Sequence, residues 1–144
     1  MTGVAFEAMR PEDAAQVAVL AEQLGYPCRV DEVRPRIEAL LALPDEQLRV
    51  ARQGERVVGY IHFLLRHSLT GARRVEIAQI VVLEELRGRG IGAAMLELAE
   101  EWARSRAVKR MRLLSRATRA DAHRLYLKVG YTINKTSHVF EKSL

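Results

Sequence analysis

The sequence holds a single cysteine, Cys28, and nowhere reaches the run of about 18 apolar residues that a membrane helix requires. One thiol closes neither an internal disulfide nor a thiol cluster for zinc. The expected setting is therefore the reducing cytoplasm, and the expected source of stability is a hydrophobic core. A chain of 144 residues is long enough to build one, burying roughly two-thirds of its unfolded surface. Residues 1–9 contain no basic stretch followed by an apolar one, so neither a leader nor a membrane partner is expected. Repeats, low-complexity tracts and linker-like stretches are missing, which reads as one domain over residues 1–144. His62 and His67 lack metal-ligand spacing, and no metal site is expected.

Acidic residues are fewer than basic ones, 18 against 23, for a formal net charge of +5. That balance favours an anionic partner, whether nucleic acid, a membrane surface or a phosphorylated small molecule. The Lys and Arg residues look scattered rather than massed, and neither zinc-finger spacing nor an aromatic-rich RNA-binding strand motif occurs. Nucleic acid is therefore not expected as the main partner.

What is present reads as alternating elements. Residues 4–9 alternate as a strand, and Pro11, Glu12 and Asp13 suit the first turn of a helix running to about Leu24. A second helix is expected over residues 31–43, with Pro35 near its start. Residues 48–52 and 57–65 flank Gln53-Gly54-Glu55-Arg56 and read as a hairpin, followed by a third antiparallel strand over residues 75–82. Residues 90–106 form the strongest helix pattern, with Ile91, Met95, Leu98 and Trp102 on one stripe. A buried strand over residues 110–115, a short helix over 120–129 stopped by Gly130, and a final strand over 132–140 complete the order. The sum is a mixed α/β (α+β) domain, an antiparallel meander leading into strand-helix-strand units.

Arg87-Gly88-Arg89-Gly90-Ile91-Gly92 lies between a β-branched strand and an amphipathic helix, where backbone N–H groups and the helix dipole favour an anion. Its plain alternative is a turn that uses glycine for positive φ. Two other phosphate motifs fail. Gly88-x-Gly90-x-x-Ala93 fits a relaxed dinucleotide fingerprint, but no Asp or Glu lies between Glu101 and Asp121 to take the ribose. No Gly-Lys-Ser or Gly-Lys-Thr ends the loop as a nucleotide P-loop demands.

Residues 87–92 match in full the pattern Arg/Gln-x-x-Gly-x-Gly/Ala, and residues 122–131, from Ala122 through Tyr126 to Gly130-Tyr131, are similar to Ala-x-x-x-Tyr-x-x-x-Gly-Phe/Tyr. In this order the two motifs resemble the GNAT superfamily of acetyl-CoA-dependent N-acetyltransferases. The resemblance is motif-level over residues 75–131 and a matter of element order elsewhere. It implies a central, mostly antiparallel twisted sheet flanked by about four helices. Arg119 stands where many relatives have Asn, and Glu84 where Pro is frequent.

The resemblance also implies roles. Arg87, Gly88, Arg89, Gly90, Ile91, Gly92 and Ala93 would hold the pyrophosphate of acetyl-CoA. Main-chain groups of Ile80, Val81 and Val82 would bind its pantetheine in a gap between the fourth and fifth strands, with the Val82 N–H polarising the thioester carbonyl. Tyr126 is the candidate acid for the departing thiolate, and Glu76 the candidate base for the ammonium. Simple alternation places Glu76 on one face with Ala78, Ile80 and Val82, unless a bulge intervenes. Their plain readings are a tyrosine packed on the sheet and a half-solvated strand acid.

The expected function is acetyl transfer to a primary amine, carried by a small molecule or a protein, in a ternary complex. The alternative is a silent acyl-CoA sensor that keeps the glycine turn without the acid–base groups. Cys28 has no identifiable base for an acyl-enzyme route, and His123 and His138 read as structural. Arg73 and Arg74 read as a solvated turn. The first two helices, the loop over residues 25–30 and the carboxy-terminal strands would build the acceptor site, and pairing of the last strand between subunits would give a homodimer.

Overall fold

A computed structural model of the protein describes residues 3–115 and 120–144. These form two compact units, Met1–Leu114 and Ser115–Leu144. In the first, β1 (Val4–Ala8) leads through a 3-10 turn at Pro11–Asp13 into α1 (Ala14–Gln23) and α2 (Val30–Leu41). Then come β2 (Glu46–Gln53), β3 (Arg56–Arg66), β4 (Arg74–Val82), a 3-10 turn at Glu84–Leu86, α3 (Ile91–Ser105) and β5 (Met111–Leu113). The sheet order is β1-β2-β3-β4-β5, antiparallel except for the parallel β4–β5 pair. The expected mixed architecture is the one observed, with four α-helices among the described residues once α4 (Ala120–Lys128) is included.

Alternation along β3 assigns the two faces of the sheet. Tyr60 joins Leu48, Val50 and Val81 in a core with Val17, Leu20, Leu24, Val33 and Ile37 of the first two helices. Phe63, three residues on and so on the other face, meets Trp102 of α3 edge-on at 5.6 Å. At the β1–β2 edge, Arg52 donates to both oxygens of Asp13 at 3.0 Å and pairs with Glu7. The Asp13 hydrogen bonds hold the guanidinium above its usual pKa against the cost of burial.

The β3–β4 register carries the feature that shapes everything nearby. Phe63 pairs with Ile77 but His62 pairs with Gln79, leaving Ala78 as an extra residue in β4. This bulge overturns the simple alternation: Glu76 shares its face with Gln79 and Val81, while Ile80 and Val82 side chains join Ile77 on the α3 side. The β4–β5 ladder ends at the same place, with Ile77 opposite Leu113. β5 is consequently a three-residue, half-buried edge strand rather than a buried strand over residues 110–115.

Two further expectations need correction. Arg74 lies in β4 with its Nε buried and without a hydrogen-bond partner, not in a solvated turn. In the second unit, α4 ends at Lys128 and the turn after it holds Gly130 (φ 100), the stop expected, but residues 132–140 form no strand. Side-chain alternation there finds no ladder for its backbone groups among the described residues, and Ile133, Val139 and Phe140 are exposed.

Candidate active site

Beyond the bulge, β4 keeps β3 on one side and has no strand on the other among the described residues. Leu83 N donates to Val58 O at 2.8 Å. Antiparallel alternation then turns the N–H groups of Ile80 and Val82 away from β3, toward the open side. Val82 O is already taken: Gln23 Nε2 donates to it at 2.8 Å, and Gln23 Oε1 accepts from Glu84 N at 3.2 Å. A side chain from α1 thus fixes the end of β4 while its outward amides stay available. Val81 alternates the other way and packs into the α1–α2 core.

The strand runs directly into the glycine turn. Gly88 and Gly90 have φ of 79° and 86°, conformations that side chains rarely adopt, and a Cβ at either would meet nothing within 4 Å. Alternation of left-handed glycines with ordinary residues turns successive amides to one side. Gly90 is the N-cap of α3, and no side chain caps the first-turn amides of Ile91, Gly92 and Ala93. These three uncapped donors, helix polarity and the exposed Arg87 and Arg89 are features that suit an anion.

On the α1–α2 face, polar groups line up across the sheet beside the open half of β4. Glu76 is buried and accepts from Arg66 Nη2 at 3.0 Å, with Arg112 opposite on β5. Tyr60 donates its hydroxyl proton to Gln79 Oε1 at 2.7 Å. Burial pushes the Tyr60 phenol well above its ordinary pKa, with Cys28 and Tyr26 adding in that direction. Cys28, from the α1–α2 loop, packs against the core cluster that contains Tyr60. Glu22, Pro27, Cys28, Arg29 and Glu32 line a surface hollow.

Sequence reasoning missed a cross-strand pair: a His62 ring nitrogen and Glu46 Oε1 lie 2.7 Å apart, both mostly buried. No sequence spacing signals it, because residues 46 and 62 meet only through the β2–β3 register. Cys28 Sγ donates to Tyr26 O at 2.9 Å. Tyr126 and His123 belong to α4 of the second unit, where His123 lies 3.1 Å from Ser115 Oγ and Tyr131 N donates to Tyr126 O at 2.9 Å. Arg119 lies outside the described residues. Among the described residues, no three His, Cys, Asp or Glu side chains cluster to hold a metal, and no helix is long and apolar enough to cross a membrane.

The motif over residues 87–92 thus lies in a glycine turn that follows an open strand half. The model of the acetyltransferase (GNAT) family matches residues 15–131. The chain belongs to the GNAT acetyltransferase family. Among its relatives, the aminoalkylphosphonate N-acetyltransferase of Salmonella typhimurium is 36% identical, over 92% of this chain and 86% of that one. Of solved structures, a transcriptional regulator from Bacillus halodurans superposes with a TM-score of 0.87 at 22% identity, covering 96% of this chain and 99% of that one. An aminoglycoside N-acetyltransferase bound to a CoA-based bisubstrate analogue gives 0.85 at 15% identity, covering 98% and 99%. These two share the fold. The protein is thus a GNAT N-acetyltransferase, and its open strand and glycine turn occupy the stretch that carries the family motif.

Proposed function

We propose that this GNAT enzyme transfers the acetyl group of acetyl-CoA to the primary amine of a small aliphatic substrate by direct attack in a ternary complex. The observation that carries the reading is the half-open β4: outward N–H groups of Ile80 and Val82 continue into the left-handed glycines at 88 and 90. Pantetheine amides suit the first pair of donors and a pyrophosphate suits the second set. Arg87, Gly88, Arg89, Gly90, Ile91, Gly92 and Ala93 hold the diphosphate, and the Val82 N–H supports negative charge on the thioester oxygen.

Glu76, which shares its face with Gln79 and Val81 because of the bulge, takes a proton from the ammonium directly or through water. The freed amine attacks the carbonyl carbon, the C–S bond breaks, and Tyr126 supplies a proton to the departing sulfur. Cys28 is given no part, since its thiol donates to the Tyr26 carbonyl. The family model spans both compact units, which supports treating the chain as one catalytic domain. The Salmonella relative's named substrate class makes short aminoalkylphosphonates the first acceptors to test.

The test is release of free CoA thiol from acetyl-CoA in the presence of aminoalkylphosphonates, amino acids, polyamines, aminoglycosides and a peptide with a free amino terminus. Release that depends on one of these amines, and falls about 100-fold or more in Glu76→Gln, is the expected result. Tight acetyl-CoA binding with no release above hydrolysis across the panel would replace the enzyme reading with a sensor.

A further inference from the structure

The fold gathers at one pole of the first unit what the sequence spreads out. Arg73 precedes β4 and Arg74 opens it, Arg106 follows the last turn of α3, Lys109 and Arg110 lead into β5, and Arg112 stands within it. Backbone contacts hold them together: Arg73 Nη2 donates to Arg106 O at 3.1 Å, and Val75 N to Arg110 O at 2.9 Å. None of these six cations reaches a carboxylate among the described residues, whereas eight other arginines do. Residues 102–120 carry seven Lys and Arg and no acid, against +5 for the whole chain, so the remaining residues together are net negative. The net positive charge is thus concentrated in one stretch of the sequence.

This pole is not the acetyl-CoA turn. β4 and β5 run parallel, and the cations sit at their starts, whereas the glycine turn follows the end of β4. The 15 residues of α3 separate the two by about 22 Å. Repulsion among unpaired cations costs stability unless an anionic partner relieves it, and nothing in the proposed acetyl transfer uses them.

We propose that this pole binds the phosphate backbone of a nucleic acid without reading its sequence. Five of the six cations are arginines, whose guanidinium forks match phosphate oxygens. Counterion release gives such contacts affinity without apolar burial, and apolar surface is what the pole lacks. Among the described residues its one fully exposed apolar side chain is Leu69 in the β3–β4 connection, too little for the core of a protein interface or for insertion into a lipid surface. Trp102 lies beneath the Arg106 guanidinium, 4.8 Å from ring centre to Cζ, so it offers no open ring for stacking a base. The surface is additional to the amine site and does not depend on it.

The experiment is fluorescence anisotropy of 20-nucleotide single-stranded RNA and DNA of one mixed sequence, titrated with the full chain between 50 and 200 mM KCl. Micromolar binding at the lower salt, weakened about 100-fold at the higher, is expected for about five phosphate contacts. The variant Arg73→Glu/Lys109→Glu/Arg110→Glu should bind at least tenfold more weakly, and the milder Arg73→Gln/Lys109→Gln/Arg110→Gln should weaken binding and flatten the salt slope. Both are checked for intact folding by circular dichroism. Arg34→Glu/Arg36→Glu/Arg56→Glu changes net charge as much as the first variant and should stay within about threefold of wild type. Equal loss in that control, or no wild-type binding at 50 mM KCl, overturns the proposal. So does binding to phosphatidylglycerol vesicles, lost in Leu69→Glu, without binding to either oligonucleotide.

Discussion

The two halves of β4 share one backbone and differ in what flanks it. Residues 75–77 are paired on both sides and buried, while residues 79–82 are paired on one side and partly open. A single extra residue, Ala78, separates them. The first half does the work of a core strand, and the second exposes donors that a core strand would consume. A site therefore needs no separate loop scaffold here: interrupting one ladder leaves outward amides held rigid by the opposite ladder and by Gln23.

The comparison breaks if the closed half proves dispensable for stability. Ile77, nearly fully buried, is expected to cost about 2–5 kcal/mol as Ile77→Ala, read by denaturant unfolding, while acetyl-CoA affinity stays within about twofold. Gly90→Asp is the mirror case. It places strain and negative charge in the turn and is expected to weaken acetyl-CoA binding about 100-fold by calorimetry, with a folding cost of only about 1–2 kcal/mol. Gly90→Ala carries at least as much backbone strain without the charge, so any further loss of binding in Gly90→Asp reports the phosphate contact.

Glu76 sharpens the comparison because it lies in the closed half yet is assigned chemistry. Glu76→Gln should lower kcat strongly while changing the unfolding midpoint little, since its partner Arg66 is half exposed and can rehydrate. Parallel loss of stability and turnover would return Glu76 to the scaffold.

The smallest effect is spectroscopic. Tyr60 has a raised folded-state pKa, so its phenol stays protonated above pH 10, where an unfolded tyrosine ionises. Its contribution to stability is full below pH 10 and is lost as pH rises toward the folded value. Absorbance at the phenolate band should show a late-titrating component that Tyr60→Phe removes.

The glycine turn was legible in the sequence because left-handed conformations and anion-facing amides are local properties of residues 87–93. Helices α1 to α4 and the antiparallel meander were legible for the same reason, through apolar periodicity and glycine turns. The bulge was not, because register is decided between β3 and β4, and it moved Ile80 and Val82 off the face that alternation assigns them. The Glu46–His62 pair and the gathering of Arg73 with Arg106 and Arg110 depend on contacts across 16 and 33 residues of chain, which spacing alone does not reveal. Residues 132–140 show the converse: a strand-like pattern without a ladder remains only a pattern.

The most direct test of the half-open strand is a titration of isotopically labelled protein with acetyl-CoA, following backbone amide resonances. The account expects the amides of Ile80, Val82 and residues 88–93 to shift together with one affinity, and those of residues 75–77 to stay. Shifts centred on the closed half, or none on the glycine turn while acetyl-CoA binds, would contradict it.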